Sequence, residues 1–137
     1  MNIPLMDKSS YLRGLLILAK KDNHISPLKE TIIYNAGIRL GFSSEFCTEI
    51  LKTLFKNKCL CDEPIKFINY TVAKSFISDG LTIASAGKSI NPSQLRWLIK
   101  SAEVNGINVA WFKEELYKRE KRVRKIDSSQ LTLYSII

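Results

Sequence analysis

Apolar residues recur at helical spacing through most of this chain. Spacings of three or four residues between apolar side chains predict amphipathic helices. The first three are expected at residues 10–21, 27–40 and 43–56. Pro64, at a first helical position, predicts the start of a long apolar-rich stretch in which Gly80 marks a bend or a boundary between two helices.

A pattern of helix boundaries occurs twice, at positions 65 residues apart. Ser or Asn can cap the free N–H groups of a helix, Pro suits its first turn, and Gly permits the left-handed residue that ends it. The two copies read Ile25-Ser26-Pro27 followed by Gly41, and Ile90-Asn91-Pro92 followed by Gly106. The repeat predicts one three-helix unit used twice, over about residues 11–57 and 76–122.

The predicted fold is therefore all-α, a single-domain bundle of about seven helices that spans residues 1–137. Its last long helix is expected at 108–126. The terminal residues 130–137 are rich in β-branched and aromatic side chains and are expected to form a short extended tail. Such an apolar tail either folds back on the bundle, which is favoured, or docks on a partner protein.

The charge of the chain is concentrated near its C-terminus. The formal net charge is +8, and six of the eight positions from Lys118 to Lys125 are basic. Clustered Lys and Arg can contact phosphate groups. The residues proposed to bind a partner or nucleic acid are Trp111, Lys118, Arg119, Lys121, Arg122, Arg124 and Lys125.

The remaining composition favours a protein of the reducing cytoplasm. Three cysteines are an odd number in a chain of 137 residues, which is large enough to fold without disulfides. The longest uninterrupted apolar run, Leu15 to Ala19, is too short to span a bilayer, and residues 1–8 lack the pattern of a signal peptide. We therefore expect a soluble, unexported protein without a transmembrane segment.

The turn Ala19-Lys20-Lys21-Asp22-Asn23-His24-Ile25-Ser26-Pro27 resembles a motif of the tellurite-resistance TerB-like family. Ala84 to Pro92 is its second instance, so the resemblance covers roughly residues 11–107. It implies an all-helical domain of two related halves and a place in a bacterial stress-response or defence assembly.

In that family, acidic residues of these turns are linked to divalent metal binding, which implies Asp22 and Glu30 as weak metal candidates here. A hard cation needs about six oxygen ligands. The second turn has Gly87 at the acidic position, next to Lys88, and supplies no carboxylate. We therefore expect no metal or other cofactor.

No catalytic constellation accompanies the repeat. His24 is the only histidine, and Gly87-Lys88-Ser89 lacks the upstream glycine of a phosphate-binding loop. The leading hypothesis is therefore a non-enzymatic module that acts through contacts with another protein or a second copy of itself. The alternative is a nucleic-acid-binding protein that uses the basic C-terminal helix.

Overall fold

The computed structural model describes residues 2–22, 26–56, 63–86, 90–120 and 131–137, with side chains omitted at 54–56. Every regular element of this described part is a helix, which confirms the predicted all-α bundle. The helices are α1 (Leu5–Lys21), α2 (Pro27–Arg39), α3 (Ser44–Lys56), α4 (Tyr70–Ala84), α5 (Pro92–Val104), α6 (Val109–Glu120) and α7 (Leu133–Ile136). Among the described residues, no helix combines the length and the apolar character that crossing a membrane requires.

The helix boundaries repeat with the spacing seen in the sequence. Helices α1, α2 and α3 begin 65 residues before α4, α5 and α6, respectively. Ser26 Oγ accepts a hydrogen bond from the N–H of the third residue of α2, and Asn91 Oδ1 does the same for α5. Gly41 and Gly106 both adopt positive φ after the second helix of each half. The two halves therefore share their capping chemistry as well as the spacing of their helix starts.

Helices α1 and α4 form the centre of the bundle and run parallel to each other. Tyr11 contacts Ser75, and further along both helices Gly14 meets the ring of Phe76. A Cβ at Gly14 would overlap that ring, so the absent side chain lets the two helices approach closely. Tyr11 and Phe76, which occupy equivalent positions in the two halves, are both fully buried.

The long helix expected from Pro64 begins later than predicted. Residues 63–69 are not helical, and α4 begins at Tyr70. The Asn105 amide accepts the N–H of Phe67 at 2.8 Å and donates to the Ile65 carbonyl at 2.6 Å. Ser101 accepts the N–H of Ile65, and Asp7 accepts those of Ile68 and Asn69. Side chains thus pair much of this backbone outside a helix, so its apolar spacing did not identify its conformation.

Two further expectations meet a different outcome, and a third is tested only in part. Helix α4 passes through Gly80 without interruption, because Leu18 and Leu98 pack into the space that its missing side chain leaves. The last residues form the short helix α7 rather than an extended tail. The helix predicted over 108–126 is observed from Val109 to Glu120, and residues 121–126 lie outside the described part.

Candidate functional site

A stripe of buried polar residues runs along the otherwise apolar helix α4. Spacings of three, four and seven residues place its members on one helix face. They are Ser75, Ser78, Asp79 and Thr82, of which the most exposed is 7% accessible. Buried polar groups require hydrogen-bond partners, and this stripe receives two later parts of the chain.

The C-terminal segment docks at Asp79. One carboxylate oxygen accepts the N–H of Thr132 at 2.5 Å and its hydroxyl at 2.8 Å. The other accepts the N–H of Leu133 at 3.0 Å and the hydroxyl of Tyr11. Leu131 and Leu133 are buried beside this anchor. The segment therefore folds back on its own bundle, which was the favoured of the two predicted fates.

The environment of Asp79 alters its ionisation. Burial raises the pKa of its carboxyl to about 6, although hydrogen bonds from Tyr11, Thr132 and Leu133 act in the opposite direction. Burial also raises the pKa of the Tyr11 hydroxyl well above its ordinary value, and the nearby Asp79 charge adds to that rise. At neutral pH the carboxyl is ionised, and the hydroxyl remains a donor to it.

The other end of the stripe holds Arg119. Its guanidinium donates to Ser78 Oγ at 2.8 Å and to Thr82 Oγ1 at 3.0 Å, and its side chain is only 14% exposed. The proposal that Arg119 is a surface ligand for phosphate is therefore wrong, because the group is used to hold α6 on α4. The neighbouring Lys118 side chain is 67% exposed.

The structure says less about the other residues that were predicted to bind a partner or nucleic acid. Trp111 is partly buried, and Lys74 Nζ lies 4.7 Å from the centre of its ring in a cation–π contact. The proposed phosphate contacts Lys121, Arg122, Arg124 and Lys125 lie outside the described residues. The structure therefore describes only the first two basic residues of the predicted surface, Lys118 and Arg119.

An open apolar groove lies between α5 and α6. Its cavity volume is about 230 Å³. The lining residues are Leu95, Ile99, Ala102, Glu103, Ile107, Val109, Phe112, Lys113 and Leu116. Val109 is 61% exposed and Ile99 37% exposed, so apolar side chains reach solvent at the mouth. These side chains would lose their contact with water if another molecule covered the groove.

The corresponding surface of the first half is different. The residues 65 positions before Leu95, Ile99 and Val109 are Glu30, Tyr34 and Ser44. Helices α2 and α3 pack along each other, whereas α5 and α6 make few close backbone approaches. The apolar groove is therefore a feature of the second half and does not follow from the repeated scaffold.

Two charged side chains lie on opposite sides of the groove. Glu103 belongs to α5 and Lys113 to α6. Both are exposed, and neither forms an ion pair with a described residue. A molecule in the groove would therefore meet a negative charge along one side and a positive charge along the other.

The predicted metal residues are not arranged as a metal site in the described part. Asp22 pairs with Lys29 at 2.6 Å, so the carboxylate faces a cation of its own chain. Glu30 lies in the first turn of α2. Among the residues that the structure describes, no group of three or more His, Cys, Asp or Glu side chains is placed to hold a metal ion.

Sequence reasoning missed both the polar stripe and the groove. The stripe has a visible signal, because four polar residues share one face of a helix whose remaining residues are mostly apolar. The groove has none within α5 or α6 alone, because Leu95 and Phe112 match the spacing of ordinary core residues. Scans against family models, curated proteins and solved structures found no match to this chain.

Proposed function

We propose that this chain is a non-catalytic interaction module that holds an amphipathic helix of a partner protein in the groove between α5 and α6. The observation that carries the proposal is the open apolar lining, with Ile99 and Val109 exposed at its mouth. Two helices that flank an apolar groove suit a third helix, whose apolar residues then recur at spacings of three, four and seven.

The chemistry of the groove favours a helix over a small molecule. Its volume of about 230 Å³ is below the roughly 300–1,000 Å³ that is usual for small-molecule sites. The lining also lacks convergent polar groups that would orient such a ligand. Glu103 and Lys113 would instead fix the direction of a helix that carries a basic residue on one side and an acidic residue on the other.

The groove now supports the interaction hypothesis in place of the apolar C-terminal residues. The apolar C-terminal residues motivated the interaction hypothesis, but Leu131 and Leu133 are buried in their own bundle. They no longer support a docking role. The TerB-like assignment and the stress-response or defence assembly rest on the resemblance alone and stay predictions. The nucleic-acid alternative also stays a prediction, without Arg119 as a phosphate contact.

Site-specific photo-crosslinking tests the proposal. A photoreactive phenylalanine analogue replaces Val109 at the groove, and in a matched protein it replaces Ser44, the exposed residue that begins α3. After irradiation in cells, mass spectrometry identifies the crosslinked peptide. We expect position 109 to capture an amphipathic helical segment of another protein that position 44 does not capture.

Two outcomes contradict the proposal. Equal capture at positions 109 and 44 would indicate contacts that do not depend on the groove. Capture of a second copy of this chain at position 109 would indicate that the groove mediates self-association and does not bind another protein. A further pair of variants tests whether an added negative charge prevents capture only when it lies in the groove. Ile99→Glu should abolish capture, whereas Val104→Glu, at an exposed residue of α5 outside the groove lining, should preserve it.

A further inference from the structure

Helix α6 is fixed to the bundle at both of its ends. At its start, the short connection 105–108 joins it to the end of α5. Near its end, Arg119 crosses to α4 and donates to Ser78 Oγ at 2.8 Å and to Thr82 Oγ1 at 3.0 Å. The same guanidinium donates to the Glu115 carbonyl at 2.8 Å, which holds it against its own helix. We call the bonds from Arg119 to Ser78 and Thr82 the clasp.

We propose that Arg119 is a positioning residue that keeps the α5–α6 groove open, because the clasp holds the far end of α6 on α4 and so keeps Leu116 apart from Leu95. This claim about the position of α6 stands without a partner. Its consequence for the binding of an amphipathic helix rests on the proposed function.

The clasp lies at the end of the groove that the connection 105–108 does not control. Because that connection is short, α6 returns along α5, and Ala102 and Phe112 line the groove near the turn. Leu95, near the start of α5, and Leu116, in the later part of α6, line the other end. Arg119 follows Leu116 by less than one helical turn. The clasp therefore acts on the part of α6 that lies across the groove from Leu95.

Apolar burial favours a closed groove. Leu95 and Leu116 are only partly buried, and Ile99 is more exposed than either. If the end of α6 moved toward α5, these side chains would lose contact with water, which is favourable. The same movement would separate the Arg119 guanidinium from its two acceptors on α4, and hydrogen bonds from a charged donor are stronger than those between neutral groups. The clasp therefore opposes closure.

The first half of the repeat has no equivalent of the clasp. The residues 65 positions before its three members are Arg13, Ile17 and Leu54. Leu54 has no side-chain donor and Ile17 has no acceptor, so the same bonds cannot form there. In that half, α2 and α3 pack along each other. The half with the clasp thus has the groove, and the half without it has its last two helices in close contact.

A variant that removes the clasp from both helices tests the proposal. Ser78→Ala/Arg119→Leu introduces on α6 the residue type of the equivalent position in the first half. It leaves no buried hydroxyl at position 78 without a partner. The hydroxyl of Thr82 keeps its bond to the backbone carbonyl of residue 78 at 3.0 Å.

Nuclear magnetic resonance of methyl groups in the full chain measures the groove. In the double variant we expect stronger nuclear Overhauser effects between Leu95 and Leu116, because the two side chains approach each other. We also expect a soluble paramagnetic agent to reach Ile99 less than in the unmodified protein. Overhauser effects and accessibility that match those of the unmodified protein would overturn the proposal.

A control and a milder variant assign the effect to the clasp. Lys118→Leu removes the same charge from the neighbouring residue of α6, whose side chain is 67% exposed, and should leave both measurements unchanged. Arg119→Lys keeps the charge but presents one nitrogen in place of the two that bond Ser78 and Thr82, so it should give an intermediate result. It also provides the test if the double variant folds poorly. A full change in Lys118→Leu, or no change in Arg119→Lys, would contradict the assignment.

The consequence for binding is measured separately. A helical peptide, selected on the unmodified protein from a display library of amphipathic helices, is titrated into each variant. If the groove without its clasp is open about a tenth of the time, the double variant binds the peptide about tenfold more weakly. Lys118→Leu should bind it as the unmodified protein does, and equal affinity of all three proteins would overturn this consequence. A selection that yields no peptide would contradict the proposed function, and the methyl measurements would still decide whether the clasp positions α6.

Discussion

The two halves of this bundle share their helix boundaries but differ in how their last two helices pack. In the first half, a Cβ at Gly37 would lie 2.7 Å from the sulfur of Cys47, so α2 and α3 are in close contact. In the second half, the equivalent residues are Ala102 and Phe112, and a groove separates α5 from α6. The repeated caps preserve the scaffold, while larger side chains at the second interface create a surface that the first half lacks.

The central helices differ in a second way. Asp79 of α4 occupies the position of Gly14 in α1. Gly14 allows the ring of Phe76 to approach, whereas Asp79 receives the C-terminal segment. One equivalent position thus serves close helix packing in the first half and polar anchoring in the second. The difference predicts that alanine at either position destabilises the protein, but for a different physical reason at each.

The largest effect should follow from removal of the anchor. Asp79→Ala leaves the N–H groups of Thr132 and Leu133 without acceptors, and we expect a loss of about 3 kcal/mol in the free energy of unfolding. Urea denaturation at pH 7 measures it. A loss below about 1 kcal/mol would mean that the buried anchor contributes little to the fold.

The same residue at the equivalent position of α1 should destabilise for a different reason. Gly14→Ala places a Cβ against the ring of Phe76, and the cost of overpacking exceeds the roughly 1 kcal/mol that Ala gains over Gly in a helix. We expect a net loss of about 2 kcal/mol by urea denaturation. A gain in stability would indicate that α1 and α4 can separate without cost.

The pH dependence of stability should reveal the anchor in the unmodified protein. The pKa of Asp79 is raised to about 6 in the folded state from 3.8, so the folded state binds more protons between these values. Its contribution to the free energy of unfolding therefore increases by about 2 kcal/mol as the pH falls from 7 to 4. The difference between the unmodified protein and Asp79→Asn isolates this contribution, and identical pH profiles for the two proteins would refute it.

The matched caps offer a smaller test of the repeat. Ser26→Ala should cost about 1 kcal/mol by loss of the cap of α2. Asn91→Ala should cost about 1 kcal/mol more, because Asn91 also donates to the Lys21 carbonyl at 3.0 Å and so joins the halves. Thermal denaturation of both variants compares them. Equal losses would show that this contact between the halves contributes no stability.

Local patterns predicted the helices well because capping and amphipathic spacing are local properties. The paired Ser26 and Asn91 caps and the glycines at positive φ were visible in the sequence. The start of α4 was not, because residues 63–69 are held by Asn105, nearly 40 residues later in the chain. Arg119 was misassigned for the same reason, since a basic residue does not reveal whether it faces solvent or Ser78.

The groove was least predictable, because it depends on the distance between two helices. Neither Ile99 nor Val109 differs from a core residue in spacing, and only the tertiary structure leaves them exposed. Comparison of the copies does carry a signal, since Glu30, Tyr34 and Ser44 stand at the equivalent positions. An apolar residue that replaces a polar one between copies of a repeat therefore indicates a surface with a separate role.

The most direct test of the proposed function uses peptides of known helical pattern. Peptides selected from a display library of amphipathic helices are titrated into the isotopically labelled protein while its amide resonances are followed. We predict shift changes at Leu95, Ile99, Val109 and Leu116, and none at the equivalent positions Glu30, Tyr34, Ser44 and Leu51 of the first half. A selection that enriches no binder, or shift changes shared by both halves, would contradict the account.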